Sequence, residues 1–164
     1  MVKFIITIIC QFVFLVGTAQ KIPSLSAKTL SELIASDRTD VVVVSFWATF
    51  CKPCVAEIPF FVSATKKYSA SQVSLLLVSL DLPSAYPKKI KRFAKAKQFD
   101  TNLAWLNETD ADYFCPKVDK SWTGSIPATL VVNNKTGYRK FTEGELSAEA
   151  FEQILKDAVK SRSH

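Results

Sequence analysis

Ser45-Phe46-Trp47-Ala48-Thr49-Phe50-Cys51-Lys52-Pro53-Cys54 is the stretch on which the fold turns. Upstream of it, Val41 to Trp47 is a β-branched and aromatic run with no polar break until Ser45, the pattern of a strand buried on both faces. Downstream, Val55, Ile58, Phe61 and Val62 recur at helical spacing from Lys52 to about Tyr68, with Pro59 expected to kink that helix. Cysteines at i and i+3 on a helix's first turn face the same way and come within reach of a disulfide. Cys51 would lie at the N-terminus, where unpaired backbone N–H groups and the helix dipole stabilise a thiolate. Lys52 adds positive charge, and Pro53 suits a first turn because its missing N–H is not needed there. These features lower the Cys51 pKa and leave Cys54, one turn deeper, as the resolving thiol.

Outward from this junction the chain alternates strand and helix. Thr29-Leu30-Ser31-Glu32 has the form of a capping box, and Leu30, Leu33 and Ile34 share one apolar face of a short helix. Val73 to Leu80 reads as a second buried strand. Lys88 to Phe99 reads as a basic helix with Ile90, Phe93 and Ala94 inward, and Leu103 to Leu106 as a short strand. Ala128 to Val132 and Tyr138 to Thr142 flank Asn133-Asn134-Lys135-Thr136-Gly137, a hairpin signal. Ser147 caps a final amphipathic helix through Phe151, Ile154, Leu155 and Val159. Parallel strands with helical crossovers, then a hairpin and a helix, imply an α/β fold: a mixed central sheet with helices on both faces. No internal repeat or linker divides residues 20–164, which read as one domain.

Scarcity narrows the chemistry. Among 164 residues there is one histidine, His164, which excludes Ser-His-Asp and Cys-His hydrolysis and any zinc site needing two histidines. The four glycines are too dispersed for a Walker A loop or a GxGxxG turn. Four cysteines remain. Residues 1–19 read as a signal peptide: Lys3, an apolar run from Phe4 to Val16 that is short of the roughly 20 residues of a membrane span, and small residues at Gly17-Thr18-Ala19. Its cleavage before Gln20 removes Cys10 and leaves Cys51, Cys54 and Cys115, an odd number for a set of structural bridges. A pair three positions apart closes too small a loop to constrain the unfolded chain much, which leans toward a working pair. No second CxxC is present to complete structural zinc, and no metal site is expected.

Trp47-Ala48-Thr49-Phe50-Cys51-Lys52-Pro53-Cys54 resembles the WAxWCxPC active site of thioredoxin-fold proteins, and more narrowly that of the exported TlpA/ResA-like thiol-disulfide oxidoreductases. The resemblance spans roughly residues 25 to 160. Ser125-Ile126-Pro127-Ala128-Thr129-Leu130 is similar to the family's cis-proline loop, and Glu57 matches the glutamate that ResA-like members place beside the dithiol. The long stretch from Cys54 to Pro127 suits the helical insertion of the TlpA-like branch. The resemblance implies a thioredoxin-like fold, a Cys51–Cys54 redox disulfide, and Cys51, Cys54 and Glu57 as catalytic residues. It also implies Trp47, Phe50, Ile126 and Pro127 as the substrate-binding surface. No cofactor beyond the dithiol is implied; the partners are protein disulfides and an upstream thiol electron donor, in the periplasm or cell envelope. Three positions depart from the pattern. Ser45 stands where thioredoxins often bury an aspartate, so proton transfer falls to Glu57 or water. Phe50 replaces a tryptophan and loses its N–H donor, and Lys-Pro lies between the cysteines.

Plainer roles stand beside these. Glu57 also suits an exposed acid favoured by the helix dipole, Trp47 suits core packing, and Cys115 suits a small buried apolar residue. Lys88, Lys89, Lys91, Arg92, Lys95 and Lys97 form a solvated face, with transient contact to an anionic membrane surface or an acidic partner as the other use. An exported protein has no nucleic-acid partner despite a net charge of +6. Two rival classes are a thiol peroxidase, against which Ala48 stands where a Thr-x-x-Cys site needs threonine, and a non-catalytic copper chaperone or peptide-binding module.

Overall fold

The computed structural model describes residues 21–36, 39–70 and 72–161. The expected signal peptide with Cys10, and His164, lie outside them. Among the described residues, six strands and five α-helices follow in the order β1 (Ser24–Leu25), α1 (Ala27–Ile34), β2 (Val41–Trp47), α2 (Lys52–Thr65), β3 (Val73–Ser79), α3 (Lys88–Ala96), β4 (Asn102–Leu106), α4 (Ala111–Val118), β5 (Ala128–Asn133), β6 (Tyr138–Glu143) and α5 (Ala148–Lys160), with a single 3-10 turn at Pro83–Ala85 between β3 and α3. The sheet order is β1-β4-β3-β2-β5-β6. Its first four strands are parallel, β5 runs antiparallel to β2, and β6 runs antiparallel to β5. This is a thioredoxin-like mixed sheet.

The strand period divides the interior into two cores. Val41, Val43 and Trp47 point to one face, where they meet Ile58 and Phe61 of α2, Ile90 of α3, and Phe151 and Leu155 of α5. Val42, Val44 and Phe46 point to the other, against Leu30 and Ile34 of α1 and Phe114 and Val118 of α4. All seven residues of β2 are buried, which is why that strand reads as an unbroken apolar run. Phe61 stacks on Phe151 with ring centroids 4.0 Å apart, joining α2 to α5.

Local chemistry sets the element ends. Ser26, not Thr29, caps α1: the Thr29 N–H donates to Ser26 Oγ at 3.1 Å. The apparent capping box begins three residues late because both positions carry hydroxyls. Pro59 lies inside α2, which nevertheless runs on to Thr65. The helix α3 stops at Ala96, short of Phe99, because Gln98 adopts a left-handed backbone with φ 56°. Two elements have no counterpart in the sequence reading: the two-residue edge strand β1 and α4, which Asp110 caps by accepting the Tyr113 N–H at 3.2 Å. Pro116 within α4 disguises it as a loop. Among the described residues no helix is long and apolar enough to cross a membrane.

Candidate active site

The site lies where β2 ends and α2 begins. Cys51 is the N-cap of α2, and its Sγ accepts the Cys54 N–H at 3.3 Å, so the sulfur sits over the first turn's free donors. Pro53 occupies that first turn without loss, as its spacing predicts. Cys51 and Cys54 are joined as a disulfide with their Cα atoms 5.3 Å apart. The two sulfurs are not equivalent: Cys51 keeps 7% of its surface exposed and Cys54 none.

Glu57 lies one turn beyond Cys54 and is only 3% exposed, so it is not the solvent-facing helix-start acid that its position also allows. Its Oε2 accepts the Leu146 N–H at 3.2 Å, while Oε1 is buried without a partner. Burial pushes the Glu57 carboxyl up to about 7; the Leu146 hydrogen bond opposes this and nearby Glu145 adds to it. Ser45 on β2 and Thr129, directly opposite it on β5, also bury unpartnered hydroxyls. The strand period aims both toward the layer that contains Cys54 and Glu57.

Of the two roles its position allows, Trp47 takes core packing. It is fully buried, with its ring edge-on to Phe99 at 5.4 Å and tilted against Phe93 at 6.0 Å, and so presents no face to a substrate. Two positions from Ser45 on the same strand, it is held inward by the pleat and forms core. Phe50 does the reverse: on the turn between β2 and α2 it is 67% exposed. Ile126 is half-buried, Pro127 is buried, and the peptide bond between them is cis. Pairing of Phe46 with Ala128 sets Pro127 level with Trp47, beside the dithiol turn. The Gly144 N–H donates to the Pro127 carbonyl at 2.8 Å. Cys115 is a free, buried thiol on α4, pushed up to about 11 by burial with Glu143 and Asp112 adding to it. It stays protonated and packs as a small apolar residue.

Two carboxylates here escaped the sequence reading. Asp81, two residues past β3, accepts from Thr49 and Ser79. Glu143, at the end of β6, accepts from Thr123 and Ser125 and so holds the segment leading to Pro127. The signal that would have found Asp81 is a lone acid just beyond the carboxyl end of a buried strand, the edge where α/β sheets build their sites.

This sheet order, with a CxxC disulfide at the first turn of the helix that follows a central strand, defines a thiol-disulfide oxidoreductase of thioredoxin-like fold. Residues 18–137 match the AhpC/TSA family, and the chain belongs to that family, in its TlpA/ResA-like branch. It is 32% identical over 152 residues to the thiol-disulfide oxidoreductase ResA of Oceanobacillus iheyensis, covering 88% of this chain and 73% of that protein. It is 27% identical over 142 residues to the thioredoxin-like protein YneN of Bacillus subtilis, covering 83% and 77%. Among solved structures, a thioredoxin-related protein from Neisseria meningitidis serogroup B superposes with a TM-score of 0.62 at 25% identity, over 73% of this chain and 85% of that one.

Proposed function

We propose that the chain reduces disulfides of proteins in the cell envelope, with Cys51 as attacking thiol, Cys54 as resolving thiol and Glu57 as proton relay. The observation that carries this is the asymmetry of the pair: Cys51, over the N-terminus of α2, keeps 7% of its surface open to solvent, and Cys54 is sealed beneath it. In the reduced protein the Cys51 thiolate attacks one sulfur of a client disulfide, forming a mixed disulfide and releasing the client's other sulfur as a thiolate that takes up a proton. Cys54 gives its proton to the Glu57 carboxylate and attacks the Cys51 sulfur, expelling the second client thiolate. Two electrons pass to the client, and the Cys51–Cys54 disulfide remains for an upstream dithiol donor to reduce. A carboxyl near 7 exchanges a proton readily at neutral pH, which suits Glu57 to this step.

Phe50 and the Ile126–Pro127 segment form the client surface: an exposed ring on one side, and on the other a backbone that can pair with an extended peptide. The buried, protonated Cys115 leaves Cys54 as the resolving thiol. The positive start and short apolar run of residues 1–19 support export, and the exposed cations of α3 support transient contact with an anionic membrane surface. The test is insulin-disulfide reduction. Cys51→Ser should abolish it, and Cys54→Ser should accumulate mixed disulfides; full activity in Cys51→Ser would overturn the reading.

A further inference from the structure

The turn that carries Cys51 is tied to a carboxylate from another connection of the sheet. The Thr49 N–H donates to Asp81 Oδ2 at 3.0 Å, and the Thr49 hydroxyl donates to Oδ1 at 2.6 Å. Ser79, the last residue of β3, donates its hydroxyl to Oδ2 at 2.8 Å and accepts the Asp81 N–H at 3.1 Å. The Asp81 carbonyl accepts the Trp105 indole N–H at 2.7 Å, and that ring stacks on Tyr86 at 4.4 Å. Asp81 is thereby fixed from β4 as well as from β3, and it is only 4% exposed.

A buried carboxylate is tolerated only when its oxygens are satisfied, and here three donors converge on two oxygens. Two of the three come from Thr49, two residues before Cys51. The turn's other ties are short: Leu80 N–H to the Trp47 carbonyl at 2.8 Å, and Cys51 N–H to the Ala48 carbonyl at 3.0 Å. Phe50 within the turn is exposed and gives it no packing support. We propose that Asp81 is a positioning residue for the dithiol: acting through Thr49, it fixes the Ala48–Cys51 turn and so sets the Cys51 sulfur over the first N–H groups of α2. Its type follows from the task. An amide offers only one acceptor oxygen, and its nitrogen would confront a Thr49 or Ser79 donor. A carboxylate accepts from all three.

The proposal rests on Cys51 as the attacking thiol, and its test separates the two claims. Position and charge act in opposite directions here. The negative charge of Asp81 disfavours a nearby thiolate, whereas correct placement over the helix N-terminus favours one. Reduced wild type, Asp81→Asn and Thr49→Val are alkylated across about pH 5–9, with Cys51 labelling read by peptide mass and the dithiol equilibrated with glutathione. Thermal melts establish that each variant is folded. Both substitutions should raise the apparent Cys51 pKa, slow its alkylation below that pKa by about two- to fivefold, and shift the glutathione equilibrium toward the Cys51–Cys54 disulfide by a similar factor. Faster alkylation in Asp81→Asn, or a folded variant whose pKa and equilibrium match wild type, overturns the positioning role. Thr49→Val keeps the buried charge and alters only a half-buried side chain, so it decides the matter alone if Asp81→Asn does not fold. Wild-type Cys51 reacting no faster than Cys54 would instead remove the attacking-thiol reading.

Discussion

Two loops meet at the dithiol, and each is held by a carboxylate, but in different surroundings. The β2–α2 turn is tied by buried Asp81, itself fixed by Ser79 and by the Trp105 indole. The segment leading to Pro127 is tied by Glu143 near the surface, through the Thr123 hydroxyl at 2.6 Å, the Ser125 N–H at 2.8 Å and the Thr123 N–H at 3.1 Å. A buried anchor restrains the atom that reacts. A surface anchor leaves the recognition loop open to solvent and to exchange with a client's own backbone. On the proposed roles, the difference would place rate with the first loop and client affinity with the second.

The largest effect should come from the dithiol itself. Cys51→Ser should eliminate insulin reduction, while Cys54→Ser keeps the first attack and stalls as a mixed disulfide visible by mass. Mixed disulfide forming to the same extent in the two variants would break the asymmetry between the sulfurs.

Glu57 comes next. Its folded pKa is raised from 4.5 to about 7, so the folded protein holds the proton more tightly than the unfolded chain does. The stability this confers is full below about 4.5 and is lost as pH rises through 7; the shift corresponds to roughly 3 kcal/mol. Wild type should therefore melt lower at pH 8 than at pH 5, and Glu57→Gln should flatten that dependence in denaturant titrations at both pH values. The same substitution should slow resolution of the mixed disulfide by about 10²-fold near neutrality. An unchanged resolution rate would remove Glu57 from the chemistry.

Smaller effects belong to the recognition loop. The Thr123 hydroxyl, opposed by slight burial and aided by the Thr123 and Ser125 N–H groups, holds the Glu143 carboxyl below its usual range. Its support is present above the ordinary glutamate pKa and fades as pH falls through the lowered one. Glu143→Gln should raise KM for a peptide disulfide by about two- to fivefold with the Cys51 pKa unmoved. A shifted Cys51 pKa in that variant would collapse the distinction between the loops. Phe50→Ala should have the smallest effect, a modest rise in KM for apolar clients with kcat preserved, since an exposed ring contributes only when a client covers it.

What the sequence disclosed and what it hid divide along the same physical line. The β2–α2 junction is readable because every determinant is local: a fully buried strand needs an unbroken apolar run, and the N-terminus of α2 needs Cys51, Pro53 and Cys54 within one turn. Asp81 is hidden because its partner Thr49 lies 32 positions away, and Glu143 because its partners lie 18 to 20 positions away. Trp47 admits two roles, because adjacency to the motif suggests a client surface while the strand's period turns the ring into the core, where it lies. Glu57 was legible as a residue but not as an environment: burial and the Leu146 hydrogen bond come from the approach to α5, far along the chain. Helix α4 was missed because Pro116 looks like a breaker, although Asp110 supplies a good cap.

The proposed order, with Cys51 attacking and Cys54 resolving, is decided by mapping the mixed disulfide formed when reduced Cys54→Ser protein meets a peptide disulfide. The client peptide should be found on Cys51, with Cys115 still a free thiol. Capture at Cys115, or no capture while Cys51→Ser continues to turn over, would contradict it.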